Sequence, residues 1–357
     1  MTRVQVAIVG AGQIASLHAK GYEEDERAEI RAVCDEREDV AIEHALKWKA
    51  QDYYLSYKDL LRDPAIHAVS ILTPNYMHAS CVMEALRAGK HVHVARPIAL
   101  TLAEADQIIG EARRRNLVAE VAEPLFFHAP LREARGYLEG GEVGDPVGVR
   151  IKICVGAPEG GWSIRPESWL WRFDPQKSGG GPFLFDSTYG ALVAASFMLG
   201  RLELIQAWIG RTEIYPGYYV DAPATMMWRH GRGCMGSLEL TYSPEMYIKS
   251  ETYPTETSLE LTGTRGMLWV RLSPGQMSSR APLEMYRDGR VFSFNELDGS
   301  WEKGFERSIR NFVSAILGES QPACSAELAR RHLEMALAAR DSSLAQRVQR
   351  IGGSQQS

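Results

Sequence analysis

The chain has 357 residues, of which 45% are hydrophobic and 24% charged, and its formal net charge is −5. This length predicts two domains, and this balance is typical of a globular protein. No basic block points to a nucleic-acid partner, and no apolar run reaches the ~20 residues that span a membrane. The five cysteines are scattered without a CxxC spacing, so we expect a reducing cytoplasm, no disulfide framework and no bound metal.

The first stretch of the chain predicts a dinucleotide site. Residues 4–9 form an apolar, β-branched run typical of a buried parallel strand. A glycine turn and a helix start follow at once, a geometry that brings backbone N–H groups to a pyrophosphate. Gly10 permits the turn, Gly12 lets phosphates approach, and Ala15 is small enough for the third glycine position. Gln13 and Ile14 complete the predicted cofactor-binding turn.

An acidic residue follows the second apolar run, 30–34. Asp35 lies 25 residues beyond Gly10 (35 − 10), near the ~20 expected for an acid that binds the adenosine ribose. Asp35 and Glu36 would repel a 2′-phosphate, so the sequence favours NAD over NADP. The adjacent Arg37 keeps NADP open as the less favoured alternative.

Strands and helices alternate as far as residue 122. Further apolar strand runs lie at residues 68–72, 91–94 and 118–122. Helices are predicted at residues 39–49, 57–61, 79–88 and 102–115, the last with Thr101 and Glu104 as a capping box. This alternation predicts a doubly wound parallel sheet in a dinucleotide-binding domain at residues 1–123.

The pattern changes after a predicted helix at 130–140. Strand-like runs then follow closely, at residues 147–155, 204–209, 225–229, 235–242, 258–262, 267–271 and 283–287. Few crossover helices separate these runs, so we expect a mainly antiparallel sheet in an α+β domain at 124–349. Helices are predicted at residues 187–199, 305–317 and 326–346, and a disordered tail at 350–357.

Several motifs occur in one order along nearly the whole chain. They are Val9 to Ala15 with His18, Thr73-Pro74-Asn75 with His78, residues 88–92, residues 171–175 with 178–181, and Arg310-Asn311-Phe312 with Pro322. Together they resemble the Gfo/Idh/MocA family of oxidoreductases. The resemblance implies an N-terminal Rossmann domain, a C-terminal open β-sheet domain and a cofactor at their junction. It also implies a homodimer or homotetramer that associates through the C-terminal sheet.

The same resemblance implies which residues form the site. It assigns cofactor contacts to Thr73, Pro74, Asn75, His78, Arg96 and Pro97. The family's usual Glu-Lys-Pro is here Ala95-Arg96-Pro97. Its usual Asp, with a His four residues later, is here Asp186 and Gly190. The lysine of that motif normally sits beside the nicotinamide and polarises or protonates the reacting hydroxyl, so the catalytic positions differ from the family pattern.

These replacements change the expected chemistry. Arginine has a pKa above ~12 and does not act as a base, so Arg96 is predicted to stabilise an alkoxide, an enolate or a carboxylate. Asp186 or Tyr189 is then predicted to donate or accept the proton, and a nearby Arg96 would lower the pKa of Tyr189. Asp186 as a helix cap and Tyr189 as a packing residue are the alternatives, with His93 and His128 as fallback bases.

Aromatic and basic residues between 156 and 172 predict a substrate loop. Trp162 and Trp171 offer faces that suit sugar rings, although tryptophan is also a common core residue. Arg165 and Arg172 are predicted either to contact an acidic substrate or to form ordinary ion pairs.

Three functions are therefore compatible with the sequence. The first is an NAD-dependent oxidoreductase that transfers a hydride between nicotinamide and a sugar, cyclitol or related polyhydroxy substrate. The second is an enzyme of the same fold with transient NAD redox and elimination or isomerisation, or with no redox step. The third is a non-catalytic protein that senses a ligand.

Overall fold

The N-terminal part of the chain forms a parallel sheet. The computed structural model describes residues 3–162, 168–231, 233–277 and 279–352. Over these residues the sheet has six strands in the order β3-β2-β1-β4-β5-β6. The strands are β1 (Val4–Val9), β2 (Ala28–Cys34), β3 (Asp52–Tyr54), β4 (Ala68–Ile71), β5 (His91–Ala95) and β6 (Ala119–Ala122). The order reverses between β1 and β4, so the carboxyl ends of these two strands open a crevice for a ligand. The predicted doubly wound sheet is confirmed.

Five helices cover this sheet within the described part of the chain. They are α1 (Ala15–Glu23), α2 (Glu38–Lys47), α3 (Tyr57–Arg62), α4 (Asn75–Arg87) and α5 (Leu102–Arg115). The predicted capping box is confirmed, because the Thr101 side chain accepts from the Glu104 N–H and the Glu104 carboxylate accepts from the Thr101 N–H. Helix α4 begins four residues before its predicted start (79 − 75). The first N–H groups of a helix have no partner within the helix, so Pro74, which lacks an N–H, loses no hydrogen bond at this position. Its φ of −58° also suits the start of a helix.

The C-terminal part forms a larger, mixed sheet. Its nine described strands lie in the order β16-β15-β14-β13-β7-β12-β11-β8-β17. Their bounds are β7 (Pro146–Glu159), β8 (Leu202–Ile209), β11 (Ala224–His230), β12 (Met235–Lys249), β13 (Thr255–Gly263), β14 (Gly266–Arg271), β15 (Leu283–Arg287), β16 (Arg290–Phe294) and β17 (Gln349–Arg350). A separate hairpin joins β9 (Thr212–Tyr215) to β10 (Tyr218–Val220). The pairs are antiparallel, as predicted, except that β12 runs parallel to β7.

Helices of the second part lie on one face of this sheet and at its junction with the parallel sheet. They are α6 (Ala129–Glu139), α7 (Pro175–Ser178), α8 (Tyr189–Leu199), α9 (Trp301–Ile316) and α10 (Ala326–Ala345). Over the described ranges, no helix has both the length and the apolar character that crossing a membrane requires.

Helix α9 returns to the parallel sheet. Ile309 and Phe312 share a buried core with Ile8 of β1. A Cβ placed on Gly21 would lie 2.8 Å from Ile309, so α1 and α9 are in close contact there. No single cut in the chain therefore separates the two cores, because a helix after residue 300 packs against the first sheet. The boundary at residue 123 stays a prediction.

The predicted disordered tail, residues 350–357, has ordered residues at its start. Arg350 pairs with Leu204 of β8, and Ile351 is buried beside that strand. The predicted disorder at 350–357 is thus wrong for 350–352, because Ile351 has an apolar place to pack. The rest of that tail, residues 353–357, lies outside the described residues.

Candidate active site

The glycine turn after β1 has the shape of a pyrophosphate cradle. Gly10 has a φ of +87°, and a Cβ there would lie 3.0 Å from the Leu72 backbone at the end of β4. A Cβ on Gly12 would meet nothing within 4 Å, so this side of the turn faces open space. Helix α1 begins just beyond, without a side-chain cap and without an acidic residue in its first turn. These features fit the phosphates of a dinucleotide.

Asp35 holds this turn in place from the end of β2. Its Oδ2 accepts the Ala11 N–H at 2.9 Å, and its Oδ1 accepts the Arg37 N–H at 3.0 Å. A carboxylate has about four lone-pair sites, so both oxygens keep capacity for the hydroxyls of a ribose. The predicted acid therefore lies beside the predicted turn, at the edge of the crevice.

Residues after β4 and β5 meet on the other side of the crevice. His78 is buried, with Nδ1 2.6 Å from the Pro97 carbonyl oxygen and Nε2 2.8 Å from that of Thr73. Burial lowers the pKa of His78, so the neutral ring donates to one of these two carbonyls. Asn75 donates to the carbonyl of Ser178 at 3.1 Å, which ties this loop to the second part of the chain. His78 thus orders the loops that carry Thr73, Pro74 and Pro97.

Arg96 lies between two carboxylates. Its Nη1 is 3.3 Å from Glu123 Oε1, and its Nη2 is 3.4 Å from Asp186 Oδ1. The Arg96 side chain is 17% exposed and Glu123 only 1%, so the guanidinium reaches from a buried anion to a more open one. This arrangement holds a fixed positive charge at the carboxyl end of β5.

Glu123 is a member of the site that the sequence analysis missed. Its pKa is raised by burial, and the nearby Arg96 charge and the Leu125 N–H oppose that rise only in part. Glu123 Oε2 is buried without a hydrogen-bond partner among the described groups. No sequence motif marks Glu123: Ala95 pairs with Ala122, and only this pairing makes the residues that follow them neighbours.

Gly190 makes room for the Arg96 guanidinium. A Cβ at position 190 would lie 2.8 Å from Arg96 Nη1 and 3.3 Å from its Cζ. The guanidinium therefore lies against the backbone of Gly190. It fills the space that the side chain of any larger residue at position 190 would need. Arg96 and Gly190, the two residues that differ from the expected motif, are therefore in direct contact.

Asp186 faces both arginines of the site. Its Oδ2 accepts from Arg172 Nη1 at 3.1 Å while its Oδ1 faces Arg96. The side chain does not cap α8, whose N-cap residue is Thr188. The alternative of a helix cap is therefore wrong, and Arg172 forms an ion pair within the site.

The Tyr189 side chain is buried in the core beside Arg96 and Glu123. It is 1% exposed, and its ring lies against His332 at 6.4 Å. Burial raises the pKa of Tyr189 well above its ordinary value, and the lowering by Arg96 is a smaller effect. The prediction of a lowered pKa is wrong because the phenol is far more desolvated than expected, and a packing role fits this position. His93 and His128 are also buried, which lowers the pKa of both.

A cavity of about 480 Å³ opens beside Arg96 and Asp186. Trp162 lines it together with Trp169, Tyr253 and Trp301, so its predicted contact with a substrate stays a prediction. Trp171 is not among the described lining residues, and its indole N–H donates to the Ser168 carbonyl at 3.0 Å. Arg165 lies outside the described residues. The arrangement can hold a polar ring against a fixed cation and a carboxylate.

Two family models match this chain. Residues 4–123 match the family model described as "Oxidoreductase family, NAD-binding Rossmann fold", and residues 131–269 match the "GFO/IDH/MocA C-terminal domain". Together the two models cover more than half of the chain.

Relatives and solved structures extend the match. Levoglucosan dehydrogenase of Pseudarthrobacter phenanthrenivorans is 26% identical over 292 residues, which cover 72% of this chain and 73% of that relative. The 1,5-anhydro-D-fructose reductase of Ensifer adhaerens is 27% identical over 278 residues, 76% of each chain. A structure of levoglucosan dehydrogenase with NADH and L-sorbose has the same fold, with a TM-score of 0.82, 20% identity, and coverage of 99% of this chain and 100% of that one. This chain therefore belongs to the Gfo/Idh/MocA family of NAD-binding oxidoreductases.

Proposed function

We propose that this protein is an NAD-dependent oxidoreductase that acts on a sugar, a cyclitol or a related polyhydroxy compound. One observation carries the proposal: Arg96 and Asp186, 3.4 Å apart, line a cavity at the carboxyl end of the parallel sheet. The glycine turn of that sheet fits a dinucleotide, and the relatives named for levoglucosan and anhydrofructose support the substrate class.

Arg96 and Asp186 have distinct roles in this proposal. A bound nicotinamide dinucleotide supplies the acceptor or donor of the hydride. Arg96 stabilises the negative charge that develops on the substrate oxygen, because its guanidinium is already fixed by two carboxylates. Asp186 accepts the hydroxyl proton during oxidation and returns it during reduction. Among the described lining residues of the cavity it is the one carboxylate.

Asp35 supports NAD as the cofactor within this proposal. Its carboxylate is fixed at the ribose edge of the crevice by the N–H groups of Ala11 and Arg37. A 2′-phosphate placed there would meet this negative charge and that of Glu36, which raises the cost of binding NADP.

The test begins with cofactor binding and continues with turnover. We would titrate the purified protein with NADH and NADPH, follow energy transfer from tryptophan to nicotinamide, and then screen polyols at 340 nm. We expect tighter binding of NADH and net NADH formation with at least one polyol. The Arg96→Ala variant should lose about 10²-fold or more in kcat with little change in NADH affinity. Arg62→Ala is the matched control, since Arg62 forms a surface pair with Asp59.

Other outcomes separate the alternatives. Cofactor that co-purifies without exchange, together with turnover but no net NADH, would support transient redox. Binding of NADH without turnover of any polyol would support a ligand sensor. If neither nucleotide binds, the proposed function is wrong.

We also propose that the protein is a homo-oligomer that associates through the open face of the nine-stranded sheet. Trp208 on β8, Met227 on β11 and Met235 on β12 lie on one face of neighbouring strands and are 47–52% exposed. Contiguous exposed apolar groups of this kind mark interaction surfaces. Sedimentation velocity should show a dimer or tetramer that Met227→Arg weakens; a monomeric wild-type protein would contradict the proposal.

A further inference from the structure

The described lining of the cavity has its charged side chains in one place. Among the described residues that line it, only Arg96 and Asp186 have charged side chains, and these lie 3.4 Å from each other. No asparagine, glutamine, histidine or lysine side chain lines the same described set. Some of the hydroxyl groups there already have partners: the Ser273 hydroxyl donates to the Thr255 carbonyl and accepts the Thr257 N–H. Beyond the charged pair, the described lining offers hydroxyl groups but no further charged or amide side chain, and the Thr252 hydroxyl is buried there without a partner.

An aromatic cluster forms another part of the wall. The Tyr253 ring lies 5.0 Å from Trp162, 6.4 Å from Trp169 and 6.1 Å from Trp301, centroid to centroid. All four residues line the cavity. The backbone N–H of Trp162 donates to the Thr252 carbonyl at 3.1 Å, which joins the two segments that bring these rings together. Apolar side chains continue this wall, among them Val155, Phe173 and Leu272.

Tyr253 connects the aromatic cluster to the charged pair of Arg96 and Asp186. Its hydroxyl is close enough to Arg172, Asp186 and Arg96 for their charges to affect its pKa, which burial raises to about 12. Trp169 in turn lies under the Arg172 guanidinium, 5.0 Å from the ring centroid. The aromatic cluster is therefore adjacent to the charged pair, and a single ligand can contact both.

We infer that the substrate is a polyol ring with an aromatic or similarly apolar substituent, such as an aryl glycoside. This inference rests on the proposed function. The reacting hydroxyl lies at Arg96 and Asp186, and the substituent lies against Trp162, Trp169 and Trp301. An apolar substituent would remove the faces of these rings from water, which the hydroxyl-bearing edge of an unsubstituted polyol does less completely. A volume of about 480 Å³ also lies within the roughly 300–1,000 Å³ of cavities that enclose drug-sized ligands.

Matched pairs of glycosides test the inference. We would measure binding of methyl and phenyl β-D-glucopyranosides, and of the corresponding galactosides, to the full-length protein with NADH by isothermal titration calorimetry. We expect at least one phenyl glycoside to bind about ten- to a hundredfold more tightly than its methyl counterpart, because the phenyl ring leaves water for the aromatic cluster. Trp162→Ala and Trp301→Ala should each reduce this ratio at least threefold.

Trp269→Ala is the control for these two variants. Trp269 lies on β14, outside the described lining of the cavity, and its indole N–H donates to Glu260 at 2.9 Å. The ratio of phenyl to methyl affinity should be unchanged in this variant. The measured quantity is the ratio of phenyl to methyl affinity. A general loss of stability would affect both glycosides equally and so would leave this ratio unchanged.

The outcomes distinguish this inference from the function on which it rests. Equal affinity within every pair, no binding of any phenyl glycoside, or a ratio that survives both tryptophan variants would overturn the inference. If unsubstituted polyols still reduce NAD, the proposed function stands alone. If phenyl glycosides bind with the expected ratio and no substrate of the panel reduces NAD, the cavity is as inferred and the proposed redox function is wrong.

Discussion

Replacing Gly190 by alanine tests whether the arginine of the site depends on this glycine. The new Cβ would lie 2.8 Å from Arg96 Nη1, whereas an ordinary contact needs about 3.5 Å, so the guanidinium must move by about 0.7 Å. It is held by Glu123 on one side and Asp186 on the other, so this movement disturbs both pairs. A misplacement of about 1 Å can cost about 10²-fold in rate, so we expect Gly190→Ala to lower kcat about 10- to 100-fold.

The rescue variant makes this prediction specific. Lysine at position 96 lacks the forked head group that meets the new Cβ, so Arg96→Lys should cost less in the Gly190→Ala background than in the wild type. We would measure kcat, KM for NAD and unfolding temperature for both single variants and the double variant. NADH affinity should change little, and overpacking should cost about 1–3 kcal/mol of stability.

Two results would refute the reasoning about Gly190. The first is wild-type kcat in Gly190→Ala. The second is strict additivity of the two substitutions, because residues in contact should show a coupling energy. Gly110→Ala is the control, since a Cβ on this exposed residue of α5 meets nothing within 4 Å.

Three further predictions concern Asp186, Gly12 and Glu120. Asp186→Asn should lower kcat about 10²- to 10⁴-fold with unchanged NADH binding, because an amide does not accept the proton; near-normal turnover would place the base elsewhere. Gly12→Val should weaken NADH binding at least tenfold in a fluorescence titration, since its side chain enters the open side of the turn; unchanged affinity would mean that the phosphates bind elsewhere. Burial raises the pKa of Glu120 from 4.5 to about 8, so the folded protein keeps a proton that the unfolded chain has lost, and stability falls as pH rises between these values. Glu120→Gln should therefore raise the unfolding temperature by several degrees at pH 8 and by much less at pH 4; an equal change at both pH values would contradict this.

Local patterns in the sequence predicted most of the fold. The apolar run at Val4–Val9 and the Thr101 capping box depend on residues close together in the chain, and both are confirmed. The parallel pairing of β12 with β7 was not predicted, because it joins strands separated by a long segment with its own helices and strands. Periodicity reports which face of a strand is buried but does not identify its neighbour.

The site was harder to predict for the same reason. Arg96 and Asp186 were found through motifs, but Glu123 reaches Arg96 only because β5 pairs with β6. Tyr253 and Trp301 line the cavity from distant parts of the chain, and no short motif marks either of them. Tyr189 was assigned by motif spacing alone, which does not report the direction of a side chain on a helix.

The return of α9 to the first sheet limits how this protein can be divided or recombined. A fragment that ends near residue 123 would keep α1 but lose the Ile309 contact at Gly21 and the partner of Lys20, which lies 2.7 Å from Glu306. The apolar face of α1 would then be exposed to water, and α1 is the helix whose first turn we propose to face the cofactor phosphates. Nucleotide affinities measured on such a fragment would understate those of the whole chain, and a chimaera with another substrate domain would need the donor's α9 to be exchanged together with its sheet.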